Sequence, residues 1–271
     1  MADRNSTREA NRSGRELDRR SVLRGIGTTA AAGAGLTAVS GSASAQVGVE
    51  IDEVVDVSSW FGFGNDLPVV DELFVFVHGW FGDTTVESQA EDVATSLAGG
   101  GYFADANVAI EWDATNFIYT DAESDTEDVG ADVADLIADF YDAGGGNVRL
   151  VGHSLGGRVV CWTANKIDDG YDIETIAPLG AAADGSQVCP GGEWYDGLVD
   201  NAEEVRNYYS QNDSTVGGAY GGFGDTALGT EGANCPGASN YTDVDVTASV
   251  GGHLEYLGDA AVGEDLADAI L

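Results

Sequence analysis

Apolar residues recur along this chain with two alternating periods. Leu73-Phe74-Val75-Phe76-Val77 is an unbroken apolar run, the mark of a strand buried on both faces. From Thr85 to Leu97 the period lengthens, and Val86, Ala90, Val93, Ala94 and Leu97 fall on one helical face. Val108-Ala109-Ile110 predicts the next strand. Val129, Val133, Leu136, Ile137 and Phe140 predict a helix over about 126–141, which Gly144-Gly145-Gly146 stops. Val148-Arg149-Leu150-Val151 is strand-like, and residues 155–168 are helix-like, burying Leu155, Val159, Trp162 and Ile167. Strands are predicted over Ile173–Leu179, Val205–Tyr209 and Val244–Thr247, and a closing helix over Glu264–Leu271. The stretch 217–240, punctuated by Gly-Gly and Cys-Pro-Gly, reads as loop. Alternating strands and helices predict an α/β fold class with a mostly parallel central sheet.

The first 45 residues do not fit this pattern. Seven arginines (Arg4, Arg8, Arg12, Arg15, Arg19, Arg20, Arg24) precede a weakly apolar Ala/Gly/Thr stretch, which ends in Ala43-Ser44-Ala45. That is the layout of an export signal with a small-residue cleavage site. Arg19-Arg20-Ser21-Val22-Leu23 resembles the core of twin-arginine signals, so the translocation machinery that reads them is an expected partner, and the expected location is secreted. The expected division is residues 1–45 as signal and 46–271 as one catalytic domain. No run approaches the ~20 apolar residues of a membrane span, so no stable span is expected after processing.

Composition changes the picture at the surface. The chain has 47 acidic and 11 basic residues and a formal net charge of −36. Beyond residue 45 the only basic residues are Arg149, Arg158, Lys166 and Arg206. Disordered chains can carry such an excess but lack core-forming residues. Here 43% of residues are hydrophobic, so a folded domain with an acidic surface is expected. Such surfaces resemble those of extremely halophilic proteins. At molar salt the Debye length is ~3 Å and like charges barely repel. Nothing offers a basic stripe to phosphates, so no nucleic acid partner is expected.

The candidate chemistry centres on Gly152-His153-Ser154-Leu155-Gly156. A G-x-S-x-G match is weak by itself in a chain with 39 glycines. Its context strengthens it, because a strand enters and an amphipathic helix leaves, and this turn lifts a serine hydroxyl clear of the backbone. Serine needs a base to attack at neutral pH, and the chain has 3 histidines. His153 adjoins the serine and is expected to point elsewhere on a sharp turn. His78 ends an early strand. His253 follows the last strand in Val250-Gly251-Gly252-His253-Leu254 and takes the role of base. A carboxylate should orient it from the end of a strand between Ser154 and His253. Asp213 is preferred and Asp184 is the alternative. The backbone N–H groups of Leu155 and Trp80 are the candidate oxyanion donors. His78 and Gly79 are expected to shape the upstream turn. Trp80 and Phe81 either line an apolar acyl pocket or simply pack.

Val77-His78-Gly79-Trp80, Gly152–Gly156, Asp213 and His253 follow the order of the α/β-hydrolase superfamily, and the chain resembles its lipase and esterase members over about residues 70–260. The resemblance implies the α/β-hydrolase fold, with helices on both faces of the sheet. It also implies a Ser154–Asp213–His253 triad, an acyl-enzyme intermediate, a small-molecule or lipid ester substrate and no cofactor. Only about 25 residues separate the strands ending near Leu179 and starting near Val205, so no large lid domain is expected there. Acyl transfer or amide cleavage on the same triad is the alternative chemistry. A non-catalytic binding protein on this scaffold is the alternative class.

Cys189-Pro190-Gly191 and Cys235-Pro236-Gly237 form a matched pair of loop cysteines, for which a disulfide is expected in an exported protein. Cys161 is expected to be buried packing. The acidic run 121–128 lacks the spaced Gly and terminal Glu of a calcium loop and is read as a solvated helix start, so no metal site is expected there.

Overall fold

The computed structural model describes residues 48–58, 66–80, 82–114, 119–220 and 226–271. The expected export signal and Phe81 lie outside the described residues. The described residues build a seven-stranded, wholly parallel sheet in the order β1-β3-β2-β4-β5-β6-β7. Its strands are β1 (Glu53–Asp56), β2 (Glu72–Val77), β3 (Ala106–Glu111), β4 (Asn147–His153), β5 (Ile173–Leu179), β6 (Ala202–Tyr209) and β7 (Tyr241–Asp245). This is the α/β class that the alternating pattern predicts.

Helices cover both faces. A right-handed crossover puts α1 (Val86–Gly99), which steps from β2 back to β3, on one face. The C-terminal helix α7 (Ala260–Ile270) packs against α1 there, close enough that the Gly263 backbone meets Ser96. Phe74, Phe76, Leu97, Tyr208, Tyr256 and Leu266 share the core on that side. The crossovers through α2 (Tyr119–Asp142), α3 (Leu155–Lys166) and α4 (Tyr195–Asp200) step the other way, which puts these helices on the opposite face. The strands of the sheet centre have their residues almost wholly buried, as the continuous apolar run Leu73–Val77 of β2 requires.

Several boundaries differ from the sequence expectation. Helix α2 starts at Tyr119, well before residue 126, and the acidic run forms its first turns. Tyr119, Ala122 and Thr126 extend its buried stripe, and acids at a helix N-terminus suit its dipole. Helix α7 starts at Ala260 rather than Glu264, because the Asp259 side chain accepts a hydrogen bond from the Val262 N–H and caps it. The described part of 217–240 is not all loop. It contains the end of α5 (Ser214–Tyr220) and the short α6 (Leu228–Glu231). β7 begins at Tyr241, three residues earlier than expected. The segment between β5 and β6, residues 180–201, folds into a 3₁₀ turn and α4. The expected disulfide Cys189–Cys235 is present, and Cys161 is buried on α3. No helix among the described residues is long and apolar enough to cross a membrane.

Candidate active site

The turn from β4 into α3 is tight enough to force Ser154 into the left-handed region, with φ 59° and ψ −117°. Such a conformation costs a non-glycine residue about 1–3 kcal/mol and persists only where surrounding structure imposes it. The flanking glycines make the turn possible. A Cβ on Gly152 would lie 2.2 Å from the Gly156 carbonyl oxygen, and one on Gly156 would lie 2.1 Å from that of Val77. Strand and helix therefore touch through backbone alone. The two glycine positions of the motif thus have a steric cause.

The structure brings Ser154, His253 and Asp213 together. His253 Nε2 lies 2.8 Å from Ser154 Oγ, and His253 Nδ1 lies 2.7 Å from Asp213 Oδ2. The carboxylate can only accept from the ring, so Nδ1 carries the proton and Nε2 is free to accept from the serine hydroxyl. Asp213 is 0% exposed. Its other oxygen, Oδ1, accepts from the N–H groups of Thr215 and Val216 at 3.1 Å each, capping α5. One carboxylate thus starts a helix and orients an imidazole, and both its oxygens are satisfied despite full burial. Asp184, the alternative acid, is used elsewhere. It caps the 3₁₀ turn at residues 185–188 by accepting from the Ser186 N–H at 2.8 Å.

The segment carrying His253 is stitched to the segment carrying Asp213. Ser210 Oγ donates to the Val250 carbonyl at 2.7 Å, and Asn212 Nδ2 donates to the carbonyls of Thr247 and Val250. His153, expected to point elsewhere than its neighbour Ser154, turns to the backbone of His253. Its Nε2 is 2.7 Å from the His253 carbonyl oxygen, and the two rings lie 4.7 Å apart. Burial, helped by the neighbouring His253, pushes the His153 pKa down to about 3.

The turn after β2 lies against Ser154. A Cβ on Gly79 would come within 2.7 Å of Ser154 Cβ, so only glycine fits there. His78 is wholly buried and shapes this turn. Its Nδ1–H donates to the Gly79 carbonyl at 2.7 Å, and its Nε2 accepts from the Trp112 N–H at 3.2 Å. The turn carries Trp80 to the edge of the site, where its ring meets Tyr119 edge-on at 5.4 Å. Leu155 opens α3, where backbone N–H groups have no partner within the helix. Beyond Trp80, Tyr119 pairs with Tyr220, and Tyr220 donates to Glu123 at 2.8 Å. Glu123 lies 3.6 Å from the Arg158 guanidinium. Sequence reading missed this buried polar chain, because its members come from three separated segments and share no local motif.

Among the described residues no cluster of His, Cys, Asp and Glu is arranged to hold a metal. No protein-family model matches the sequence, and no characterised protein matches it by sequence. Solved structures share its layout distantly. A lipase-esterase related protein of Clostridium acetobutylicum aligns at 14% identity and TM-score 0.43, over 76% of this chain and 95% of that one. An esterase of Pyrococcus furiosus aligns at 13% identity and TM-score 0.43, over 74% and 81%. An esterase of Pyrobaculum calidifontis aligns at 17% identity and TM-score 0.42, over 96% and 92%. Likeness at this level adds nothing to what the strand order and the hydrogen bonds already establish.

Proposed function

We propose that the chain is an exported serine hydrolase of the α/β-hydrolase type that cleaves carboxylic esters. The observation that carries this reading is the unbroken hydrogen-bonded line from Ser154 through His253 to buried Asp213. As Ser154 Oγ bonds to the acyl carbon, His253 Nε2 takes its proton, and the Asp213 carboxylate offsets the charge on the ring. The carbonyl oxygen becomes an oxyanion facing the N–H groups of Leu155 and Trp80. Collapse of this intermediate breaks the ester bond. The alcohol leaves with the proton from His253, and the acyl group stays on Ser154. A water molecule then attacks the acyl-enzyme, giving its proton to His253, and the acid departs as Ser154 recovers its hydrogen.

Two measurements test the reading. Hydrolysis of a short-chain nitrophenyl ester in ~3 M salt separates an enzyme from a binding protein, since a binder gives no turnover. A fluorophosphonate should label the protein under the same conditions, with the adduct mapping to Ser154. Full activity in Ser154→Ala, or an adduct elsewhere, overturns the mechanism. Export belongs to the same proposal, with residues 1–45 as the twin-arginine leader. The N-terminus of protein recovered outside the cell should follow Ala45, and replacing Arg19 and Arg20 with lysine should retain the protein inside.

A further inference from the structure

Resting on this triad, we propose that His153 is a positioning residue that holds the backbone of the His253 segment in the register that proton transfer needs. His253 stands in neither a helix nor a strand, so no regular hydrogen-bond ladder fixes its distance from Ser154. Its segment is held upstream at Val250 by Ser210 and Asn212. At His253 itself the grip comes from the residue bonded to the nucleophile. His153 Nε2 sits 2.7 Å from the His253 carbonyl oxygen, and a carbonyl only accepts, so the ring must carry its proton on Nε2.

The ring is also a packing surface. His153 is 2% exposed and lies between His253, at 4.7 Å, and Tyr256, at 6.3 Å. Tyr256 is anchored in turn, its hydroxyl donating to the Gly229 carbonyl at 2.9 Å. Because Ser154 is locked in a strained turn, its neighbour is locked with it. One imidazole therefore ties the position of the base to that of the nucleophile. The arrangement requires a neutral ring, since a second cation 4.7 Å away would oppose the imidazolium that forms on His253. Burial of His153 supplies that neutrality.

The test compares side chains that keep or remove the donor. In His153→Leu, kcat should fall by about 10–100-fold with KM little changed, as expected for a reacting group misplaced by about an ångström. His153→Gln can put an amide N–H where Nε2–H stands and should recover kcat to within a few-fold. His153→Asn is too short and should resemble the leucine variant. The low-field proton resonance of the His253 Nδ1–H bonded to Asp213 supplies a readout independent of turnover. It should persist in the wild type and in His153→Gln, and broaden in His153→Leu. Thermal unfolding in high salt establishes that each variant is folded. If His153→Leu does not fold, the contrast between Gln and Asn decides in the same way. A folded leucine variant with wild-type kcat and an intact resonance overturns the inference, as does a glutamine variant no better than leucine. Ser154→Ala and His253→Ala are measured alongside. If they keep turnover, the triad and this inference fall together. If they are inactive while His153→Leu is unimpaired, the positioning role alone falls.

Discussion

Asp213 shows how much one side chain can be asked to do. It caps α5 through one oxygen and receives His253 on the other, at 2.7 Å. Asp213→Asn can keep the cap through its amide oxygen, so the protein should still fold. Its amide nitrogen cannot accept from His253 Nδ1–H, and kcat should fall by about 10³–10⁴-fold. Asp184→Asn should stay within a few-fold of wild type in the same assay. His153 adds a pH signature. Its pKa is pushed from 6.5 to about 3 by burial and by the charge of the adjacent His253 ring, against the opposing pull of its hydrogen bond to the His253 carbonyl and of Asp213, with His78 adding to the downward shift. Between those values the unfolded chain binds a proton that the folded chain refuses. The stability tied to this ring is therefore complete above pH ~6.5 and declines as pH falls toward 3. Denaturant unfolding of His153→Gln across that window should show a shallower loss than the wild type. An equal slope would count against the buried neutral ring. At this scale His253 was legible as the candidate base because the chain has 3 histidines. The contact of His153 with the His253 backbone was not, because a turn's direction cannot be read from residue types.

Among the elements, the central strands were the legible ones. β2, β4 and β5 are buried along nearly their whole length because both faces are covered, with their apolar residues concentrated in Leu73–Val77, Val148 to Val151 and Ile176 to Leu179, and the ends of β5 were anticipated to the residue. The edge strands were harder. β7 has the sequence Tyr-Thr-Asp-Val-Asp and buries little, so its pattern is weak and its start was misplaced. β1, at the other edge, was missed altogether. The start of α2 was hidden because its acids suit a loop as well as a helix N-terminus. The disulfide acts at this scale too. Cys189 and Cys235 are 46 residues apart and enclose β6, Asp213 and α5. Closing that loop should contribute about 4 kcal/mol in the chain-entropy description. Thiol labelling of the denatured, unreduced protein should find Cys161 alone. Three reactive thiols would rule the bridge out. Reduction should lower the unfolding midpoint.

For the whole molecule the governing quantity is charge. Each of the four basic residues beyond residue 45 lies against acid. Arg149 meets Glu72, Arg158 meets Glu123, Lys166 meets Glu127, and Arg206 meets Glu204 and Asp265. Two of them also lie over indole rings, Arg158 on Trp194 at 5.3 Å and Lys166 on Trp162 at 4.9 Å. The 47 acidic residues of the chain outnumber its 11 basic ones, and like charges on a folded surface repel unless dissolved salt screens them. Circular dichroism should therefore show native structure at ~3 M salt and its loss near ~0.05 M. Native spectra and full turnover in dilute buffer would contradict this.

The sequence by itself determined the α/β alternation, the strand-turn-helix around Ser154, the acidic surface and the short choice of bases. All of these follow from local periodicity, from the residue types a turn tolerates, or from simple counts. Only the tertiary structure put Asp213, and not Asp184, against His253 Nδ1, and only it brought the His153 ring to the His253 backbone. The reason is the same in both cases. These contacts depend on which segments meet beyond the ends of β4, β6 and β7, and contact across 40 to 100 residues leaves no periodic trace in the chain. Ser154 was legible because the constraint on it is local, whereas the residues that position its partners are bound to it only through the fold.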